Sequence, residues 1–125
     1  MLSVRLVVVS IVLTLAIACG GDYSSPATAP SPTPAGPAAS VVIPAGAEVL
    51  GKTAYAPDEV DVAPGTTVTW MNTDSVAHTS TSDVAGWNSG TIAPGGRFSA
   101  SFSNAGTYSY HCAIHPGMVG TVVVR

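Results

Sequence analysis

From Val41 to the C-terminus, short runs of β-branched and aromatic residues are separated by Gly, Pro, Asn and Asp, with no helical period in between. Candidate strands are Val41 to Ile43, Ala47 to Thr53, Glu59 to Val62, Thr66 to Asn72, His78 to Thr81, Arg97 to Phe102, Gly106 to Cys112 and Gly120 to Arg125. Period-two alternation assigns their faces. Val68 and Trp70 share one side and point inward, leaving Thr67 and Thr69 outside. Phe98, Ala100 and Phe102 alternate with Ser99 and Ser101 in the same way. Tyr108, Tyr110 and Cys112 share a face that aims the Cys sulfur at the interior, so His111 points outward. Turn signals at Pro64-Gly65, Pro94-Gly95-Gly96, Asn104-Ala105-Gly106 and Pro116-Gly117 space these runs as a two-sheet sandwich requires. The expectation is an all-β, Greek-key β-sandwich of about seven to eight strands.

The first 40 residues follow other rules. Arg5 precedes an apolar run from Leu6 to Ile17 and small residues before Cys19, the build of an export signal over residues 1–18. That run is shorter than the roughly 20 apolar residues a membrane helix needs. Leu15-Ala16-Ile17-Ala18-Cys19 resembles the lipobox at which bacterial lipoprotein signals are cut and the new N-terminal Cys acylated, although Ala16 stands where Leu is more usual. The expectation is an exported chain, periplasmic or at the cell surface, held to a membrane by a lipid on Cys19; simple secretion is the alternative. Residues 19–40 form a tether rich in Pro, Ala and Ser, with prolines at 26, 30, 32, 34 and 37 and almost no large apolar side chain to bury. The folded domain is then 41–125, small enough that bound metal should add materially to its stability.

Charge narrows the possible partners. Past the signal only Lys52, Arg97 and Arg125 oppose seven acidic residues, so there is no basic stripe to displace counterions and nucleic acid is not a partner. Asp58, Glu59 and Asp61 read as a solvated strand edge, with steering of a basic redox partner as the second reading.

The chemistry is concentrated in Tyr110-His111-Cys112-Ala113-Ile114-His115-Pro116-Gly117-Met118, where a thiolate, an imidazole and a thioether recur at three-residue intervals after a strand. The only histidine outside this cluster, His78, follows the strand that ends at Asn72. Two imidazoles, one thiolate and a weak axial thioether are the donors with which a mononuclear type 1 copper site cycles one electron, giving the set His78, Cys112, His115 and Met118. Two cysteines in an exported chain would by default suggest a disulfide. Here Cys19 sits at the processing site and Cys112 among the ligands, so each is already accounted for. His111 adjoins Cys112 but faces outward, as a surface or supporting residue. Met71 is read as packing or partly exposed, and Trp70 and Trp87 as packing residues.

These residues resemble the cupredoxins, and among them the small amicyanin and plastocyanin-like proteins of bacteria. The resemblance is carried by Trp70-x-Asn72 through His78-Thr79, by Ser89-Gly90-Thr91-Ile92-Ala93-Pro94-Gly95, and by Tyr110-His111-Cys112-x-x-His115-Pro116-x-Met118. The two-residue gaps on either side of His115 are similar to the short ligand loop of amicyanin. One departure stands out: the family often has Asn after the upstream ligand histidine, where this chain has Thr79, whose backbone N–H can still reach the Cys112 sulfur.

The expected function is therefore electron transfer by a monomer, without enzymatic activity, with redox proteins docking at an apolar collar around His115. A copper carrier or storage protein is the alternative, but such proteins would use more Met and His at an exposed site than Met71, Met118 and three histidines provide. A cysteine enzyme built on Cys112 lacks a recognisable oxyanion pocket or further acid. Structural zinc would want a second Cys or a third His in place of Met.

Overall fold

The computed structural model describes residues 36–84 and 86–125. Among these residues seven strands form two sheets: β1 Ala38–Ile43, β2 Glu59–Val62, β3 Thr66–Asn72, β4 Thr81–Ser82, β5 Arg97–Phe102, β6 Gly106–His111 and β7 Val119–Val124. One sheet has the order β1-β3-β5 and the other β2-β7-β6-β4. β1 runs parallel to β3, from Ala38 opposite Thr67 to Ile43 opposite Asn72, and β2 runs parallel to β7. The other pairs are antiparallel. This is the all-β sandwich expected from the alternation.

β3 shows why these residues make strands. Its residues are buried at every second position, with Thr66, Val68, Trp70 and Asn72 inside and Thr67, Thr69 and Met71 half-buried. On the outer face the hydroxyl groups of Thr67 and Ser101 lie 3.0 Å apart and those of Thr69 and Ser99 2.7 Å apart, cross-strand pairs that help fix the register of β3 against β5. Inside, Trp70 meets Trp87, Phe98 and, edge-on, Tyr110, and Tyr110 meets Tyr55 edge-on at 4.7 Å. Both tryptophans are packing residues, as read. Burying side chains of this size is worth about 1.5–3 kcal/mol each, and they link the two sheets into one core.

Chain reversals use a repeated device. In Ala63-Pro64-Gly65-Thr66 and Ala93-Pro94-Gly95-Gly96 the fourth N–H donates to the first carbonyl, at 3.2 and 2.7 Å. Proline presets the second position, and glycine takes the positive φ of the third, 89° at Gly65 and 77° at Gly95. The first of these turns carries the chain from one sheet to the other.

Two strand expectations are corrected. Ala47 to Thr53 is a pair of single 3-10 turns, Ala47–Val49 and Gly51–Thr53, because Gly46 and Gly51 adopt left-handed φ of 74° and 56° that no strand accommodates. Val49 is left 81% exposed. His78 to Thr81 is not a continuous strand: His78 makes a single bridge with Ile92, and regular pairing begins only at β4, opposite Tyr110 and His111. At the N-terminal edge, β1 begins at Ala38, three residues before the apolar run, and Thr67 N–H donates to the Pro37 carbonyl at 3.0 Å.

Candidate metal centre

Asn72, the last residue of β3, organises the loop that follows. Its side-chain amide donates to the carbonyls of Val76 and Ile92 at 2.8 and 2.9 Å, and its Oδ1 accepts from Asp74 N–H at 2.9 Å. The bridge to Ile92 then fixes the His78 backbone through hydrogen bonds of 3.2 and 2.8 Å. The β6–β7 loop is closed by Cys112 N–H to the Met118 carbonyl at 3.0 Å and Met118 N–H to the His115 carbonyl at 2.9 Å. His78, Cys112 and Met118 are fully buried, and His115 is half-buried.

Three donor atoms converge at this end of the sandwich. Cys112 Sγ lies 4.0 Å from His78 Nδ1 and 3.8 Å from His115 Nδ1, and the two nitrogens are 3.2 Å apart. A point equidistant from all three lies about 2.1 Å from each, close to the roughly 2.0–2.3 Å of imidazole and thiolate bonds to a transition metal. The chemistry agrees with the geometry. His78 Nε2 is 2.9 Å from Asp74 Oδ2, so this ring donates through Nε2 and turns the Nδ1 lone pair toward the other donors. These three residues thus fit a soft, borderline metal ion such as copper.

Asp74 is 5% exposed. Its Oδ2 also accepts from Ala47 N–H at 3.1 Å, and its Oδ1 from Ser75 N–H at 2.7 Å. The His78 hydrogen bond, helped by these backbone donors, holds the Asp74 carboxyl well below the usual carboxylate range despite its burial. Glu48 brings a second, exposed carboxylate within 4.8 Å of the Asp74 and His78 donors.

The family model for copper binding proteins of the plastocyanin/azurin family matches residues 45–125. The chain belongs to that family. It is 37% identical over 111 residues to amicyanin of Paracoccus denitrificans, covering 84% of this chain and 83% of that protein. It is 35% identical over 88 residues to plastocyanin of Scenedesmus fuscus, covering 60% and 90%. Among solved structures, a purple cupredoxin from Nitrosopumilus maritimus superposes with a TM-score of 0.66 at 36% identity, covering 70% of this chain and 99% of that one. The cupredoxin resemblance read from the ligand motifs is thereby shown.

Around the donors the cupredoxin framework has local features that the sequence reading did not include. Thr79 follows His78, and its N–H donates to Cys112 Sγ at 3.3 Å, as anticipated. Its hydroxyl also accepts from Ala113 N–H at 2.8 Å and lies 3.0 Å from the Thr81 hydroxyl. Thr79 therefore supplies a side-chain lock between the His78 segment and the Cys112 segment. Tyr55 donates to the Thr79 carbonyl at 2.6 Å. The sequence reading also misses the roles of Asp74 and Asn72, although an Asn-x-Asp pair at the end of a strand is a turn signal that draws attention to that loop. His111 points outward, half-buried, and pairs with Asp83. Asp58, Glu59 and Asp61 are exposed, with Asp61 paired to Arg125. Cys112 is a free thiol; Cys19 lies outside the described residues.

Proposed function

We propose that this protein is a mononuclear type 1 copper electron carrier that works as a monomer outside the cytoplasmic membrane, with His78, Cys112, His115 and Met118 as the residues that would hold the metal. The observation that carries the reading is the triangle of His78 Nδ1, Cys112 Sγ and His115 Nδ1. Bound copper would supply the one-electron couple. The chain contributes rigidity: His78 is fixed by Ile92 and Asp74, and Cys112 by Thr79 and Met118, so both oxidation states meet nearly one geometry.

His115 is the least buried of the four proposed ligands and is flanked in sequence by Ile114, 47% exposed. With Val76, also partly exposed, Ile114 supplies the apolar surface against which a second redox protein docks for exchange through His115. The copper carrier or storage reading is disfavoured because His78, Cys112 and Met118 are fully buried, which suits retention of a metal better than its hand-over.

The test is titration with copper(II), followed by visible absorption, paramagnetic resonance and reduction with ascorbate. One copper per chain with an intense charge-transfer band, reversibly bleached and absent in Cys112→Ser, supports the electron carrier. Tight copper(I) binding without that band, or ready loss of metal to a chelator, would move the carrier reading to first place.

For location, the proposal is lipid anchoring at Cys19, supported by the apolar run that ends there. Among the described residues no helix is long and apolar enough to cross a membrane. Cys19→Ser should release the protein from membranes, and continued membrane fractionation of that variant would argue against acylation.

A further inference from the structure

We propose that Asp74 is a positioning residue that sets the balance between the two oxidation states, using a buried negative charge to favour the oxidised metal. The inference rests on the copper reading above and extends it to a residue beyond the ligands.

The argument begins with where the charge sits. Asp74 Oδ2 is 2.9 Å from His78 Nε2, while Nδ1 of the same ring faces Cys112 and His115. One imidazole therefore separates a carboxylate from the metal position. A carboxylate accepting the far N–H of a ligating histidine makes that ring a stronger donor and fixes its orientation. The stronger donor and the carboxylate's own negative charge both favour the state of higher positive charge. At 5% exposure the carboxylate is shielded from water and salt, so its field reaches the site with little screening.

The same carboxylate is itself held in place. Ala47 N–H, at the start of the first 3-10 turn, and Ser75 N–H both donate to it, and Asn72 Oδ1 accepts from its backbone N–H. Two backbone N–H groups, one of them from a segment 27 residues away, and the His78 ring thus converge on one side chain that the proposed ligand set does not include. Glu48 provides an internal comparison, because its carboxylate is within 4.8 Å of the Asp74 carboxylate and the His78 ring but is exposed.

The experiment compares copper-loaded full-length wild type, Asp74→Asn, Asp74→Ala and Glu48→Gln by reduction potential at low and high ionic strength, and by copper(I) and copper(II) affinities from chelator competition. Asparagine can still accept from His78 Nε2 but carries no charge. Asp74→Asn is expected to keep one copper and its visible band while raising the copper(I) to copper(II) affinity ratio about tenfold, equivalent to about 59 mV upward for a one-electron couple. That shift should persist at high salt, whereas any shift in Glu48→Gln should fade. Asp74→Ala should move further in the same direction and broaden the paramagnetic resonance, as the His78 ring loses its stop. An unchanged potential in Asp74→Asn, or a shift abolished by salt, would overturn the proposal, even if the apo variant melted early. A wild-type protein with no coloured copper site would instead sink the electron-carrier reading on which the proposal rests.

Discussion

Thr79 holds Cys112 from two directions: its backbone N–H donates to Sγ at 3.3 Å, and its hydroxyl accepts from the N–H of the next residue, Ala113, at 2.8 Å. The loop bearing three of the proposed ligands is thus pinned to the segment bearing the fourth by one threonine. Thr79→Val keeps the β-branched shape and the backbone donor but removes the hydroxyl. Denaturant unfolding of the apo protein should show a loss of about 1–2 kcal/mol, with Thr79→Ser close to wild type. A Thr79→Val variant as stable as the parent would mean that water replaces the hydroxyl at no cost.

Met118 is fully buried, and its backbone closes the ligand loop through both its N–H and its carbonyl. Leucine preserves the volume and both backbone bonds but lacks the sulfur. Met118→Leu should retain copper and raise the reduction potential, by at least the roughly 59 mV that a tenfold change in relative affinity represents. Voltammetry that finds the parent potential would remove Met118 from the proposed ligand set.

Gly120 faces Tyr110 across β6 and β7, and a Cβ there would lie 2.5 Å from the tyrosine Cζ and hydroxyl oxygen. The ring has little room to retreat, since Tyr55, Trp70 and Trp87 pack around it. Gly120→Ala should therefore destabilise the domain by about 1–3 kcal/mol through overpacking. Thermal unfolding measures this directly, and a neutral result would show that β7 can shift to accept the methyl group.

The two buried tyrosines should respond differently to loss of the hydroxyl. Tyr55 donates to the Thr79 carbonyl at 2.6 Å, whereas the Tyr110 hydroxyl has no partner among the described residues. Tyr55→Phe should cost about 1–2 kcal/mol, and Tyr110→Phe should be close to neutral. Burial pushes both phenols above the ordinary tyrosine range, with the nearby Cys112 adding to the effect at Tyr55. A pKa raised by folding contributes stability that is complete below the unfolded value of about 10 and is lost as pH rises above it. Alkaline titration should show tyrosinate from these two residues only as the protein unfolds; their smooth ionisation in the folded state would contradict the packing.

The sequence made the sandwich legible where alternation and burial coincide. Val68 and Trp70 point inward because each second residue of β3 must, and the soft donors from Cys112 to Met118 lie close enough in sequence to be read together. It misled where local spacing imitates a strand, as in Ala47 to Thr53, because the left-handed φ of Gly46 and Gly51 follows from tertiary context and not from hydropathy. Asp74 was silent for a related reason. Its partner Ala47 is 27 residues away, and His78, four residues on, lies on an irregular loop where no periodicity relates the two. Thr79 was read for its backbone alone, since its hydroxyl acquires a role only when Ala113 arrives from the far end of the domain.

The parallel pairing of β1 with β3 has one more consequence. Chain enters the domain at Pro37, beside Thr67, and β1 climbs alongside β3 to Ile43 opposite Asn72, the residue from which the His78 loop departs. Six extended residues cover about 20 Å, nearly the height of the sheet. The point where the chain joins β1 and the loop that carries His78 thus lie at opposite ends of one sheet, joined by a strand that has no turn in it.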